Sequence, residues 1–180
     1  MIRDALPDDL PAIQAIYAHH VATGCATFEL EAPSVDEMRA RHARLVAAGF
    51  PFLVALREDG DETEGARVLG YAYAGPHRPR PAYRYTVEDS IYLDPAATGR
   101  GVGAALLDEL VRRCERQGLR QMVAVIGDSA NAASVAVHRR AGFELVGTMP
   151  AVGWKHGRWV DTVLMQRRLG AGDAGPPPAP

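Results

Sequence analysis

The segment at residues 94–104 constrains the fold most strongly, because it places a glycine-rich turn between two regular elements. The stretch before it predicts a strand from Thr86 to Leu93, and apolar residues at helical spacing after it predict a helix from Gly101 to Gln117. A nearly all-apolar stretch from Gln121 to Ile126 then predicts a buried strand. This order of elements indicates a mixed α/β domain with a central sheet.

The flanking segments predict further helices and strands. Helices are predicted from Asp8 to about Ala22, from Ser34 to about Ala48 and from Asn131 to Ala141, and strands at Phe52 to Leu56, Val68 to Ala74, Phe143 to Met149 and Trp159 to Arg168. Ile2 to Ala5 is a short apolar segment before the first helix. Ser34 and Glu37 form a capping-box pattern, and Gly142 is a stop signal for a helix. Residues 57–67 predict a polar turn. We expect one domain over residues 1–169, followed by a disordered Gly/Pro/Ala tail over residues 170–180.

Composition argues against several functional classes. A net charge of -2 gives no reason to expect a nucleic-acid partner, and the apolar runs are too short to span a membrane. Cys25 and Cys114 are too few for a disulfide framework, so we expect reduced thiols and a cytoplasmic protein. Five histidines lack metal-ligand spacing and are interpreted as surface or packing residues, with no metal expected: His19, His20, His42, His77 and His156.

The glycine-rich turn is a candidate anion site. Gly99, Gly101 and Gly103 let backbone N–H groups approach a ligand without obstruction by a Cβ atom. The start of a helix leaves such N–H groups unpaired and favours negative charge, and Arg100 adds a guanidinium. We therefore expect this turn to bind a pyrophosphate.

Three nucleotide-binding folds use a turn of this kind. A P-loop requires Lys-Ser/Thr after its last glycine, where this chain has Ala104 and Ala105. A Rossmann fingerprint fits Gly99, Gly101 and Ala104, with Asp128 as a candidate ribose ligand, but too little chain follows for the remaining units of that fold. The third candidate is the GNAT pyrophosphate loop.

Residues 95–104 resemble the acetyl-CoA signature of the GNAT superfamily, Arg/Gln-x-x-Gly-x-Gly/Ala, with Thr98 in place of the first residue. Asn131, Ser134 and the following Arg140-Ala141-Gly142-Phe143 resemble the second GNAT motif. Within the superfamily, residues 85–93, 123–127 and 152–161 resemble the phosphinothricin N-acetyltransferase branch, which includes methionine sulfoximine and methionine sulfone acetyltransferases. The resemblance covers roughly residues 1–169.

This resemblance implies the GNAT fold, in which a mixed central sheet flanked by helices splays between two parallel strands, here residues 86–93 and 121–126. It implies acetyl-CoA as co-substrate, with the pantetheine arm along the exposed strand edge. The cofactor-binding residues that it implies are Ile91, Tyr92, Leu93, Gly99, Arg100, Gly101, Val102, Gly103, Ala104, Asn131 and Ser134.

The resemblance also implies catalytic roles. Glu88 is the candidate general base, directly or through a water, in a neighbourhood that we expect to be apolar. His138 occupies the position of a Tyr that reprotonates the CoA thiolate in many members, and it is either a general acid or a contact for CoA.

The implied acceptor is the α-amino group of a small amino-acid analogue. Arg78 or Arg84 is expected to clamp its carboxylate, beside Tyr83 in the same loop, and Phe28 is expected to form another wall. A protein N-terminus, a lysine or a polyamine are alternative acceptors, and a catalytically silent acyl-CoA sensor is an alternative function. Relatives often pair, so we expect a homodimer.

Overall fold

The computed structural model describes residues 1–57 and 67–177. Within these ranges, seven strands form one sheet that four helices flank. The strands are β1 (Ile2–Asp4), β2 (Phe52–Leu56), β3 (Val68–Pro76), β4 (Thr86–Leu93), β5 (Gln121–Gly127), β6 (Glu144–Lys155) and β7 (Arg158–Arg168). The helices are α1 (Leu10–Thr23), α2 (Val35–Ala47), α3 (Val102–Arg116) and α4 (Ala132–Arg140). Short 3₁₀ turns lie at Pro7–Asp9, Pro81–Tyr83 and Pro95–Ala97.

The sheet is antiparallel except at its centre. Its strand order is β1-β2-β3-β4-β5-β7-β6, and only β4 and β5 are parallel among the described strands. Their pairing runs from Thr86 opposite Gln121 to Asp89 opposite Ala124. Beyond these residues β4 has no pairing with β5, which stays bonded to β7 as far as Gly127. The two parallel strands therefore separate, which confirms the splayed sheet.

The two faces of the sheet carry separate apolar cores. One core packs under α3 around Leu106, Leu107 and Leu110, and the other packs under α1 and α2 around Ile13 and Tyr71. Side chains alternate between the faces along a strand. On β4 the α3 face receives Val87, Asp89, Ile91 and Leu93, and the α1 face receives Glu88, Ser90 and Tyr92.

The predicted helices and strands are confirmed, and their ends differ from the predicted ones by at most two residues except in β6. The Oγ atom of Ser34 accepts a hydrogen bond from the Glu37 N–H at 3.1 Å, as expected of a cap. Glu37 does not complete the capping box, because its carboxylate binds Arg41 at 2.9 Å. Gly142 follows α4 with φ 82°, the left-handed conformation that a helix stop requires.

Strand β6 is longer than the predicted Phe143 to Met149. Pro150 has no N–H to donate, so the strand pattern breaks there. The structure accommodates the break as an irregularity in register between Met149 and Gly153, in which Ala151 has φ 52° and donates its N–H to Asp161 Oδ1 at 2.9 Å. Pairing with β7 then resumes as far as Lys155.

Two predicted segments fall partly outside the described residues. The polar turn includes residues 58–66, which the structure does not describe; the Arg57 N–H donates to the Arg67 carbonyl at 3.0 Å beside it. Of the C-terminal segment, residues 170–177 are described, and Arg120 donates to the carbonyls of Gly172 and Pro176 at 3.4 and 2.9 Å. Disorder of this tail stays a prediction.

None of the helices within residues 1–57 and 67–177 combines the length and the apolar character needed to cross a membrane.

Candidate active site

A cleft of about 380 Å³ opens where β4 and β5 separate. Its walls come from the ends of both strands, the glycine turn and the first turns of α4. The predicted residues that line it are Ile91, Tyr92, Leu93, Gly99, Gly103, Asn131, Ser134 and His138. Arg100, Gly101, Val102 and Ala104 belong to the same turn or the first turn of α3, and they do not line the cleft. The structure therefore brings most of the predicted cofactor residues to one place.

The glycine turn has the backbone that its sequence requires. Gly99 and Gly101 have φ 75° and 78°, the left-handed region that favours glycine. Gly101 precedes α3, so the unpaired N–H groups of the helix start at this turn. A Cβ atom on Gly103 would lie 3.3 Å from Leu93 Cδ1, so this glycine lets α3 pack closely on β4. Arg100 is exposed beside these groups, and together they can hold a diphosphate.

The far end of β4 is held by a histidine that sequence reasoning assigned only to surface or packing. His20 lines the cleft, and its Nε2 lies 2.8 Å from the Leu93 carbonyl. A carbonyl only accepts, so Nε2 carries a proton and donates it. Burial lowers the pKa of His20, which keeps the ring neutral near pH 7. A signal existed in the sequence, because His20 continues the buried stripe of Ile13, Ile16 and Tyr17 along α1.

His138 forms a buried pair with Asp89, a residue that sequence reasoning did not single out. The two side chains are 3% and 1% exposed, and His138 Nε2 lies 2.9 Å from Asp89 Oδ2. His138 Nδ1 lies 2.8 Å from the Ser134 carbonyl, so Nδ1 also carries a proton. Burial opposes charge on His138, but the hydrogen bond and the charge of Asp89 outweigh it and raise the pKa of the imidazole. The pair therefore places an imidazolium and a carboxylate beside the cleft.

Asn131 and Ser134 lie at the start of α4. Asn131 Oδ1 accepts the Ser134 N–H at 3.2 Å, which caps the helix. Ser134 in turn provides the carbonyl that orients His138. Both residues line the cleft, so capping and ligand contact are compatible at these positions.

Glu88 lies on the α1 face of β4, away from the Asp89–His138 pair. Its side chain is 38% exposed, and Oε1 lies 2.7 Å from Nδ1 of His77. The apolar neighbourhood expected from the sequence is therefore wrong, because a polar ring and solvent surround this carboxylate. Ser90, the next side chain on the same face, lines the cleft. Glu88 thus lies two residues before Ser90, which places it about 7 Å along the strand from the cleft wall.

The predicted acceptor residues surround Glu88 rather than the cofactor cleft. Arg78, Tyr83 and Arg84 are exposed in the loop between β3 and β4. The Arg84 guanidinium lies 4.7 Å over the ring of Tyr85, whereas Arg78 contacts no charged or aromatic partner in the part of the chain that the structure describes. The ring of Tyr83 packs edge-on against His77, with centroids 5.6 Å apart.

Phe28 lies between α1 and α2 and packs against Gly153 of β6, where any side chain would overlap its ring. Lys155 holds this loop, because its buried ammonium donates to the Thr27 carbonyl at 2.8 Å. Burial lowers the pKa of that ammonium. The same ring lies within 3.3 Å of a Cβ position on Gly127, which lines the cleft, so Phe28 stands at its edge.

Asp128 is not available as the ribose ligand that a Rossmann fold would require. It binds Arg158 and accepts the Ala130 N–H at 3.0 Å, which occupies both of its oxygens. A sheet with a single parallel pair among its described strands also excludes the parallel Rossmann sheet. That alternative is wrong.

Within the described residues, no group of three or more His, Cys, Asp or Glu side chains is arranged to hold a metal ion. Cys25 and Cys114 are both free thiols and buried. Burial is also the main reason that the pKa of Cys114 rises to about 12, so this thiol is not a nucleophile near neutral pH.

Comparison with known proteins gives a consistent result. The family described as acetyltransferase (GNAT) matches residues 15–143. A phosphinothricin N-acetyltransferase of Alcaligenes faecalis is 54% identical over 172 residues, which cover 96% of this chain and 84% of the relative. An L-methionine sulfoximine/L-methionine sulfone acetyltransferase of Pseudomonas paraeruginosa is 43% identical over 93% of this chain and 94% of the relative.

Among solved structures, a GNAT superfamily phosphinothricin acetyltransferase of Sinorhizobium meliloti in complex with AcCoA superposes with a TM-score of 0.92. It is 51% identical, and the match covers 99% of this chain and 92% of that one. The splayed sheet, the glycine turn and these likenesses agree, and the chain belongs to the acetyltransferase (GNAT) family.

Proposed function

We propose that this chain transfers the acetyl group of acetyl-CoA to the α-amino group of a small amino-acid analogue of the phosphinothricin, methionine sulfoximine or methionine sulfone type. The observation that carries this proposal is the cleft between the separated strands β4 and β5, which begins at the helix terminus of the glycine turn. The names of the two relatives support the substrate class.

The residues fit CoA by their chemistry. The N–H groups from Gly99 to Ala104 and the Arg100 guanidinium suit a diphosphate. Past Asp89, the β4 backbone at Ile91, Tyr92 and Leu93 has no partner on β5, which leaves a strand edge for the amide groups of pantetheine. Asn131 and Ser134 line the opposite wall. When bound, acetyl-CoA supplies an activated thioester carbonyl.

Glu88 supplies the base function on the acceptor side. An α-amino group has a reference pKa of about 8, so removing its proton near pH 7 costs only about 1.4 kcal/mol. A carboxylate or a water that it orients is sufficient for this demand. His138, whose two ring nitrogens are held by Asp89 and the Ser134 carbonyl, lines the cofactor side of the cleft as a positively charged contact for CoA.

Arg78 is the better candidate for the carboxylate clamp. Its guanidinium is exposed and without a charged partner among the described residues, whereas that of Arg84 covers Tyr85. A guanidinium can bind a carboxylate with two parallel hydrogen bonds. Tyr83 and Phe28 would then form walls of the acceptor pocket.

The decisive test is release of free CoA thiol by the purified protein with acetyl-CoA and a panel of acceptors. Phosphinothricin, methionine sulfoximine and methionine sulfone should give turnover, while a polyamine and peptides bearing free N-termini or lysines should not. Turnover only with the polyamine or peptides would shift the acceptor class. Binding of CoA without turnover on any acceptor would indicate a sensor instead.

Three features beyond the site remain part of the proposal. We infer a homodimer, because the β6–β7 hairpin exposes large apolar side chains, Trp154 at 57% and Trp159 at 61% among them. We infer a cytoplasmic location, because the cytoplasm supplies acetyl-CoA and keeps free thiols such as those of Cys25 and Cys114 reduced. The catalytic domain spans residues 1–169.

A further inference from the structure

We propose that His77 is a catalytic residue that works with Glu88: its Nε2 accepts the proton of the acceptor ammonium, and Glu88 orients the imidazole. This inference rests on the proposed acetyl transfer to an amine. It concerns a residue that the sequence pattern left among surface and packing histidines.

The first observation is the geometry of the pair. His77 Nδ1 lies 2.7 Å from Glu88 Oε1, within the range of a charge-assisted hydrogen bond. An ionised carboxylate only accepts, so Nδ1 carries a proton, and whenever the ring is neutral the lone pair is on Nε2. Nε2 of His77 has no hydrogen-bond partner within residues 1–57 and 67–177. The carboxylate thus fixes the tautomer in which Nε2 is a base.

The second observation is the position of the ring. His77 directly follows β3, and its N–H donates to the Thr86 carbonyl at 3.3 Å, so it is held across from the start of β4. Its ring lies between Glu88 and the edge of the Tyr83 ring, in the loop that also carries Arg78. It therefore contacts both the predicted base and a predicted wall of the acceptor pocket. With a 19% exposed side chain, it is accessible and still held in place.

The third argument is chemical. An imidazole nitrogen with a free lone pair can accept a proton directly, and a carboxylate behind the ring stabilises the imidazolium that forms. In the proposed step the N–H bond of the ammonium breaks and its electron pair stays on nitrogen. The proton bonds to Nε2, giving a neutral amine and an imidazolium that Glu88 stabilises. Water removes that proton after the product leaves.

Few other ionisable groups surround this ring. From β4 the facing group is Glu88, from the 3₁₀ turn it is Tyr83, and the preceding strand ends in the uncharged Pro76. The arginines of the loop, Arg78 and Arg84, form no described contact with the ring.

The test measures kcat/KM for the best acceptor between about pH 6 and about pH 9.5 at saturating acetyl-CoA. The proteins are full-length wild type, His77→Gln, Glu88→Gln and the double variant. His19→Gln is the matched control, since His19 is exposed on α1 and, within the described residues, its side chain contacts only Thr23 and His20 of the same helix. Calorimetry with acetyl-CoA establishes that each variant is folded, and His77→Asn replaces the Gln variant should that one fail to fold.

We expect His77→Gln and Glu88→Gln each to lose on the order of 100-fold in kcat/KM near pH 6.5. The loss should shrink towards pH 9.5, because free amine then no longer needs a base. The kcat/KM of the double variant should lie within about threefold of that of either single variant, since the two residues act as a unit.

A His77→Gln variant within about threefold of wild type at every pH, or a loss that is constant across pH, would overturn the role of His77. Wild-type protein that turns over no acceptor at all would instead overturn the proposed function, and the inference with it.

Discussion

Two histidines bind neighbouring carboxylates on opposite faces of β4, and the pairs differ chiefly in burial. On the α3 face His138 and Asp89 are 3% and 1% exposed, and both nitrogens of His138 are engaged. On the α1 face His77 and Glu88 are 19% and 38% exposed, and Nε2 of His77 has no partner within the described residues. A buried histidine with both nitrogens bonded holds its protons in place, whereas an open pair can exchange protons with a substrate. β4 thus carries a buried pair at the cofactor cleft and an open pair beside the predicted acceptor residues.

The largest expected effect is on stability at the buried pair. Asp89→Asn removes the carboxylate that balances a buried imidazolium, and loss of one partner of a buried pair costs on the order of 3 kcal/mol. Urea unfolding at about pH 6, where the imidazolium predominates, measures this loss. A change below about 1 kcal/mol would mean that the two pairs do not differ as their burial indicates.

Next in size is an effect on acceptor binding alone. Arg78→Ala should raise KM for the amino-acid acceptor about tenfold or more, because a charge-assisted hydrogen bond contributes about 1.5–3 kcal/mol. KM for acetyl-CoA should not change, since Arg78 lies in the loop beside Glu88 and does not line the cleft. Arg84→Ala is the matched control and should have the smaller effect, given its position over Tyr85. Equal increases in both KM values would contradict the placement of Arg78 outside the cofactor cleft.

A smaller effect is the pH dependence of stability. The pKa of His138 is raised in the folded protein, so its contribution is fully present below the unfolded value of about 6.5 and is lost as pH rises through the folded value. The unfolding free energy of wild type should therefore fall as pH rises above about 6.5, and His138→Gln should remove this part of the slope. Urea titrations at matched pH values check the difference. Parallel curves for the two proteins would count against a charged buried pair.

The smallest expected effect is the stability of the open pair. Glu88→Gln should change the unfolding free energy by less than about 0.5 kcal/mol, because ion pairs that are open to solvent contribute little. The same urea assay applies. Destabilisation comparable to that of Asp89→Asn would show that the Glu88 pair is structural.

The sequence alone predicted the elements well and located the glycine turn, because these depend on local patterns. Apolar periodicity located α3, and alternate glycines located the turn whose φ values require them. Sequence patterns failed to predict contacts that depend on the register between paired strands. Which side chain meets Glu88 depends on the pairing of β3 with β4, and no periodicity shows that His77 crosses to it.

Other misses had a recognisable signal. Asp89 is a charge at a core-facing position between Val87 and Ile91, and such a residue requires a partner. His20 continues the buried stripe of α1. The extension of β6 past Pro150 had no such signal, because the Asp161 contact that supports the irregularity is formed only in the folded sheet.

The central claim is that a CoA thioester lies between the separated ends of β4 and β5, with its diphosphate on the glycine turn. Hydrogen exchange of the backbone amides, compared with and without saturating CoA, tests this placement directly. We predict slower exchange at residues 91–93 and 99–104 and no change in β1 and β2. Unchanged exchange at both of these segments, in a protein that binds CoA by calorimetry, would contradict the account.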